Sequence, residues 1–313
     1  MVRKTRKITN LKDIIKRLIN IKGGYFNISN QDLYNLPKTS LWEKVTHLNC
    51  AYNMLTVLPE MPNLESLEAT FCDLVSLPEL PKIKYLDCSY NQLTELPKLP
   101  NAVSINCCRN RIVSLPELPN VKFLDCSDNQ LTELPEMPLI TEIHCDTNQL
   151  TSLPKMDNLT DLFCARNQIS VINNYPGLKY LSCSRNQLTQ LPSFPNLKHL
   201  DCSDNQITVL PMLPKIEELE CTDNQITIMP KLPNTMNYCI SYNNPLYYNS
   251  DFNKIHWAII DFITLKLCVN KWRKFNLTTV MAKKQSLHNE LLYSPDLPFY
   301  KQTEEYQHWQ QHT

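Results

Sequence analysis

The sequence predicts a solenoid, in which short parallel strands stack into one curved sheet and an extended return path forms the opposite side. A 19-residue period supports this first, because the marker positions keep one register over eleven units without insertion. These positions are Asn53, Cys72, Asn91, Asn110, Asn129, Asn148, Asn167, Asn186, Asn205, Asn224 and Asn243. A second observation is that 18 of the 22 prolines fall into two columns of the same period. Such a repeat predicts units that each stack on the one before.

One unit shows how the elements follow from the residues. Leu86 and Cys88 alternate with Tyr85 and Asp87, and this period of two predicts a short strand with one face buried. Asn91 follows where the chain must turn, and its side chain can bond neighbouring backbone groups. The two prolines of each unit then fix φ and disfavour a helix, so the return path should be extended or polyproline-like.

The resulting pattern, L-x-C-x-x-N-x-L-x-x-L-P-x-L-P, resembles the leucine-rich repeat family. It is most similar to the short, proline-rich class found in secreted bacterial effectors and in proteins of large DNA viruses. The resemblance covers residues 24–250, with a strict 19-residue period from residue 45. A weaker unit, which runs from Phe26 to Pro37, precedes the array at a spacing of 22 and brings the number of units to about twelve. The resemblance implies a leucine-rich repeat solenoid with helical caps at both ends.

Cysteine stands where this family usually has Leu or Val. Nine of the 13 cysteines occupy one column: Cys50, Cys88, Cys107, Cys126, Cys145, Cys164, Cys183, Cys202 and Cys221. Adjacent strands lie ~4.8 Å apart, and parallel side chains at that spacing are too far apart for the roughly 3.5–4.5 Å between the Cβ atoms of a disulfide. We therefore expect buried free thiols. Metal binding is the alternative, but no C-x-x-C pair and no histidine column supports it, so we expect neither metal nor cofactor.

Both ends should carry caps. Residues 1–23 predict a basic N-terminal helix with Leu11, Ile14, Ile15 and Leu18 on one side. Residues 251–295 predict a helical C-terminal cap, because apolar residues between Ile255 and Trp272 recur at steps of three or four. Residues 296–313 should form a flexible tail. The basic N-terminus could also bind a membrane surface or direct nuclear import, and the C-terminal helices could also bind a partner.

Charge is unevenly distributed along the chain. Residues 1–22 carry a net charge of +7 and residues 243–313 carry +2, so residues 23–242 carry −9 in a chain that is neutral overall. An acidic solenoid should not follow a phosphate backbone, so we expect no nucleic acid on it. The first residues lack the apolar core of a signal peptide, and no apolar stretch is long enough to span a bilayer. We expect a soluble, intracellular protein, located in the host cytoplasm if it is viral or an effector.

Function is expected to reside on the concave face, where outward-facing strand residues form two columns. The candidate partner-binding residues are Tyr85, Phe123, Phe163, Tyr180, Asp87, Asp125, Arg166 and Arg185. Exposed aromatic residues without a core role make good interface anchors. We therefore predict a non-catalytic protein–protein interaction scaffold of unknown partner and oligomeric state. The alternative is a structural component of a larger assembly.

Catalysis is not expected. The chain has only three glycines and no glycine-rich phosphate loop, and its seven histidines are scattered. Some effectors with similar repeats carry a C-terminal ubiquitin-ligase domain with a nucleophilic cysteine. Here Cys268 lies within an apolar helical pattern, and no acid–base group accompanies it.

Overall fold

The computed structural model describes residues 11–245 together with Leu265 and Lys266. The chain divides into two units, Met1–Ser250 and Asp251–Thr313. Within the second unit, Leu265 and Lys266 are helical. The rest of the predicted C-terminal cap and the whole of the predicted tail lie outside the described residues, as do residues 1–10.

Twelve parallel strands form one sheet in the first unit, and their order in the sheet is their order in the chain. Every strand has three residues. They are β1 Tyr25–Asn27, β2 His47–Asn49, β3 Ser66–Glu68, β4 Tyr85–Asp87, β5 Ser104–Asn106, β6 Phe123–Asp125, β7 Glu142–His144, β8 Asp161–Phe163, β9 Tyr180–Ser182, β10 His199–Asp201, β11 Glu218–Glu220 and β12 Tyr238–Ile240. The predicted solenoid is confirmed. The described return paths between β2 and β12 contain no helix, as the proline columns predict.

The spacing between strands departs from 19 residues at both ends. Tyr25 pairs with His47, which confirms the 22-residue first unit. At the other end Glu218 pairs with Tyr238, so the last unit has 20 residues and the expected strict period is wrong there. The extra residue lies between Pro233 and Met236, because the core position two residues after Pro214 is three residues after Pro233.

Buried leucine and cysteine columns form one continuous core that extends from Ile14 to Ile226. In β4, Leu86 is 3% exposed while Tyr85 and Asp87 face outward. Cys88 follows the strand and is fully buried. All nine cysteines of the column are free and buried, which confirms the prediction of unpaired thiols.

Asparagine side chains hold the turns together. Asn129 Nδ2 donates to the carbonyls of Cys126 in its own unit and Cys107 in the preceding unit, both at 3.0 Å. Its Oδ1 accepts from the Ile112 N–H at 2.9 Å. Equivalent bonds are made by Asn53, Asn91, Asn110, Asn148, Asn167, Asn186, Asn205, Asn224 and Asn244. The column therefore supplies partners for turn backbone groups that would otherwise be buried without any.

Two members of the asparagine column differ from the sequence prediction or from their neighbours. Asn244, and not Asn243, makes the ladder bonds in the last unit, because that unit is one residue longer. In the second unit Cys72 replaces asparagine, and its Sγ lies 3.3 Å from the Cys50 carbonyl oxygen. Hydrogen bonds from the Cys50 thiol and from the backbone N–H groups of Asn53 and Leu55 lower the pKa of Cys72. The sulfur thus takes part of the asparagine's place.

A second amide column runs along the return path and was missed by the sequence analysis. In each case Nδ2 donates to a carbonyl 20 residues earlier, at 2.8–3.1 Å. The residues are Asn63, Asn101, Asn120, Asn158 and Asn196. Both edges of the stack are therefore joined by side-chain amides.

The N-terminal end of the core is covered by helix α1, Leu11–Ile19. Ile14 and Leu18 are fully buried, whereas Leu11 is 44% exposed and Ile15 is half-buried, so the apolar stripe is narrower than predicted. A 3-10 helix at Ser40–Lys44, not predicted from the sequence, adds Trp42, which is fully buried. The Trp42 indole donates to the Pro37 carbonyl at 2.8 Å and meets Phe26 edge-on.

Candidate protein-binding surface

The outer residues of the strands form a continuous solvent-facing surface, which we call the strand face. It consists of the first and third residue of each strand, and the middle residue of every strand from β1 to β11 is buried. Six of the eight candidate residues lie on it: Tyr85, Asp87, Phe123, Asp125, Phe163 and Tyr180. The two arginines lie elsewhere.

The four candidate aromatic residues are not equivalent. Tyr85 is 56% exposed and Tyr180 is 37% exposed, whereas Phe123 and Phe163 are half-buried. Phe123 and Phe163 are brought together by His144, whose ring centroid lies 5.8 Å from that of Phe123 and 4.3 Å from that of Phe163. The centre of the strand face therefore carries one aromatic cluster, which includes a histidine that the sequence analysis left out.

A second histidine extends this pattern. His199 stacks on Tyr180 with ring centroids 4.4 Å apart, and its Nδ1 lies 2.8 Å from a carboxylate oxygen of Glu218. His144 is likewise 2.9 Å from Glu142. The register of the sheet could have revealed both contacts, because His144 and Phe163 are 19 residues apart, as are Tyr180 and His199.

The two candidate aspartates have a structural role as well as an exposed position. Asp87 accepts from the Ser89 N–H at 3.1 Å, and Asp125 accepts from the Ser127 N–H at 3.0 Å. Each carboxylate therefore closes the turn that follows its strand. A partner could contact these groups only at the oxygens that remain exposed.

Arg166 and Arg185 lie in the turn after the strand, with φ of 56° and 54°. Arg185 pairs with Asp204 at 3.3 Å between Nε and Oδ2. Arg109 occupies the same turn position and pairs with Asp128 at 3.2 Å. Positive charge in this column is therefore partly neutralised by neighbours one repeat later, and it lies beside the strand face.

The same turn column carries an aromatic stack that the sequence analysis missed. Tyr52 and Phe71 stack with centroids 5.0 Å apart, and Phe71 and Tyr90 stack at 4.0 Å. The Arg109 guanidinium lies 4.8 Å from the Tyr90 centroid and closes the stack. Tyr52 and Phe71 remain 57% and 43% exposed. All four residues have positive φ, a conformation that non-glycine residues seldom adopt.

The cysteine column is chemically quiet. Burial raises the pKa of the Cys88, Cys126, Cys145, Cys164 and Cys183 thiols well above the ordinary value. Among the described residues, no group of three or more His, Cys, Asp or Glu side chains is arranged to hold a metal ion. In the same part of the chain no helix is both long and apolar enough to cross a bilayer.

Comparison with known proteins places this geometry in a family. A family model described as "Leucine Rich repeats (2 copies)" matches residues 195–234. YopM from Yersinia enterocolitica WA-314 is 30% identical with a TM-score of 0.60, over 70% of this chain and 60% of that one. The chain therefore spans less than two thirds of that relative. No curated protein matches the chain by sequence.

Two further solved structures agree. YopM from Yersinia pestis, a leucine-rich effector protein, is 29% identical with a TM-score of 0.57, over 76% of this chain and 81% of that one. The leucine-rich repeat domain of APL1B has a TM-score of 0.61 at 19% identity, over 76% of this chain and 82% of that one, and supports the fold alone. Taken with the asparagine, leucine and proline columns, these likenesses show that the chain belongs to the leucine-rich repeat family and resembles bacterial effectors of that family.

Proposed function

We propose that this protein is a non-catalytic interaction scaffold that binds a protein partner on the strand face, which is the concave side in this fold. The observation that carries the proposal is the aromatic cluster of Phe123, His144 and Phe163 at the centre of that face. Solenoids of stacked repeats present extended concave surfaces that commonly serve in binding. The likeness to leucine-rich effectors supports the same class of function.

The aromatic residues supply the binding energy in this proposal. Aromatic anchors dominate protein interfaces because they bury a large, rigid area at low entropic cost. Tyr85 and Tyr180 flank the central cluster on strands β4 and β9, so the anchors span six strands. The candidate residues Asp87, Asp125, Arg166 and Arg185 would contribute complementarity around these anchors.

We also propose an intracellular location, because a column of nine free thiols suits a reducing compartment. The net charge of −9 over residues 23–242 favours a protein over a nucleic acid as the ligand of the solenoid.

A pull-down from host-cell lysate with two matched variants tests the proposal. The first variant changes Tyr85, Phe123, Phe163 and Tyr180 to Ala. The second changes four exposed valines of the return path to Ala, namely Val57, Val113, Val171 and Val209, which are 50–60% exposed. We expect a retained protein with the wild type and the valine variant, and its loss with the aromatic variant.

Circular dichroism of all three proteins must first show equal folding, since Phe123 and Phe163 are half-buried. Equal retention by all three would refute binding through the strand face. Discrete high oligomers of the purified protein with no retained partner would instead support the structural alternative.

A further inference from the structure

The strand face contains a depression of about 110 Å³ near its C-terminal end, formed by strands β9 to β12. Tyr180, His199 and Tyr238 contribute its rings, and Asp201, Glu218 and Glu220 contribute three carboxylates. Pockets for small organic ligands are usually about 300–1,000 Å³. This depression is too small for such a ligand but can hold the end of one side chain.

The carboxylates of Asp201 and Glu220 are direct neighbours in the sheet. The two residues pair in register on strands β10 and β11, where Cα partners of adjacent strands lie ~4.8 Å apart. Like charges at directly opposite positions destabilise a sheet. Their flanking partners in the same column are Ser182 and Ile240, which offer no amide or cation. The pair therefore lacks the neutralising neighbours that a closed surface would provide.

Another acidic pair of the same column shows what compensation looks like. Glu68 and Asp87 are also register neighbours, on strands β3 and β4. There Asn49 donates to Glu68 at 2.5 Å and Asn106 donates to Asp87 at 3.4 Å. Each carboxylate of that pair thus has an amide beside it, which makes the C-terminal pair different in kind.

The third carboxylate adds to the negative potential. Glu218 Oε2 contacts His199 Nδ1 at 2.8 Å and the Tyr238 hydroxyl at 3.3 Å, and the same hydroxyl donates to Glu220 at 3.1 Å. Burial together with hydrogen bonds to the two carboxylates raises the pKa of Tyr238 to about 12.

The nearest cations of the chain are already paired on either side of the depression. Lys198 binds Glu217 at 2.8 Å, and Arg185 binds Asp204 at 3.3 Å. Within the described part of the chain, neither Asp201 nor Glu220 forms an ion pair.

We propose that this depression receives an arginine or lysine side chain from an extended basic segment of the protein partner, with Asp201 and Glu220 binding the cation between Tyr180 and Tyr238. The inference rests on the proposed scaffold function and names the chemistry of the partner at one end of the strand face. It also extends the binding surface three strands beyond Tyr180, the last of the aromatic anchors.

A peptide probe tests this directly. The probe is a fluorescein-labelled peptide of four Arg-Gly repeats, and its control replaces each arginine by citrulline, which keeps the shape and removes the charge. Binding to the full chain is measured by fluorescence anisotropy at 50 and 150 mM salt. We expect the arginine peptide to bind more tightly than the citrulline peptide, with a preference that decreases at the higher salt concentration.

Two double variants locate the site. Asp201→Asn with Glu220→Gln removes both charges while keeping the oxygen atoms that accept from the Ser203 N–H and from Tyr238. Glu95→Gln with Glu133→Gln removes the same charge from exposed positions of the return path. We expect the first variant to weaken binding of the arginine peptide about tenfold and the second to leave it unchanged within about twofold.

Equal affinity of the wild type for the two peptides would overturn the proposal. So would equal weakening by the two double variants, because that would indicate general attraction to an acidic protein. Neither result would affect the pull-down with the aromatic variant, so the scaffold function and the cation site fail or stand separately.

Discussion

Removal of the Asn129 side chain offers a quantitative test of the asparagine column. Asn129 is 9% exposed, and its Oδ1 is the acceptor for the Ile112 N–H, which has no other acceptor in the described residues. In Asn129→Ala that N–H is left buried without a partner, at a cost of about 1–3 kcal/mol. The carbonyls of Cys107 and Cys126 each lose one donor.

The carbonyl losses are smaller than the loss at Ile112. Cys107 keeps a bond from Asn110 at 3.0 Å, and Cys126 keeps one from Asn148 at 3.0 Å. Each lost donation should therefore cost only about 0.5 kcal/mol, at the low end for a hydrogen bond. The expected total for Asn129→Ala is a decrease of about 2–4 kcal/mol in the free energy of unfolding.

The natural substitution at Cys72 provides an internal comparison. Because the Cys72 sulfur bonds the same kinds of backbone group, Asn129→Cys should cost about 1 kcal/mol less than Asn129→Ala. The reverse change, Cys72→Asn, should stabilise the protein.

Urea unfolding followed by circular dichroism measures these differences, with Gln130→Ala, an exposed amide next in sequence, as the control. Repeat arrays can unfold in parts, so hydrogen exchange of the Ile112 amide should be measured as well. An Asn129→Ala variant within 0.5 kcal/mol of the control, or equal costs for Ala and Cys, would refute the reasoning.

Three further predictions concern the thiols, the turn conformation and the aromatic stack. Burial raises the pKa of Cys145 and its column, whereas unfolded thiols ionise near pH 8.5, so stability should be constant below about pH 8 and fall above it, by about 1.4 kcal/mol per buried thiol at pH 9.5. Thermal unfolding at pH 7.5 and 9.5 measures this, and Cys145→Ala should reduce the decrease by one thiol's share; an unchanged melting temperature would contradict it. Thr147, a β-branched residue at φ 54°, should gain roughly 0.5–1 kcal/mol on change to Asn, measured by urea unfolding, and a loss would show that its φ carries no strain. Phe71→Ala should cost about 1–2 kcal/mol by removing ring contacts with Tyr52 and Tyr90, and a double-mutant cycle with Tyr90→Ala should show coupling between the two rings, whereas additive costs would exclude it.

The strands and the core could be predicted because one column pattern decides both. Leu86 is buried and Tyr85 is exposed for the same reason at every turn, namely that side chains alternate along a strand. Nineteen repeats of a residue type would not have been needed, since a few leucine, asparagine and proline columns in common register admit only one stacking arrangement.

The ends were harder because they lack that register. Asn243 and Asn244 are adjacent and chemically identical, so the sequence alone could not show which of them faces the core. The residue inserted after Pro233 decides it, and its effect appears only in the pairing of β12 with β11. Trp42 is similar, because its burial depends on a 3-10 helix that only the longer first unit can accommodate.

The side-chain contacts of the candidate surface were partly readable. Residues 19 apart are neighbours across strands, so the contact between Arg185 and Asp204 follows from the period alone. The positive φ of the turn column does not, because that column contains Tyr, Phe, Arg, Asp, Thr and Asn side chains without a shared signature. Its conformation is imposed by the backbone bonds of the asparagine that follows.

The two columns of the strand face differ in how freely they can vary. In the third-residue column, Asp125 and its equivalents accept a backbone N–H two residues ahead, as do Asn27, Asn49, Asp87, Asn106 and Asp201. Substitution there changes the turn as well as the surface. The first-residue column makes no such backbone bond in the described residues, and it holds Tyr85, Phe123 and Tyr180. Partner specificity should therefore depend mainly on that first column, where a new side chain can be accommodated without loss of the stack.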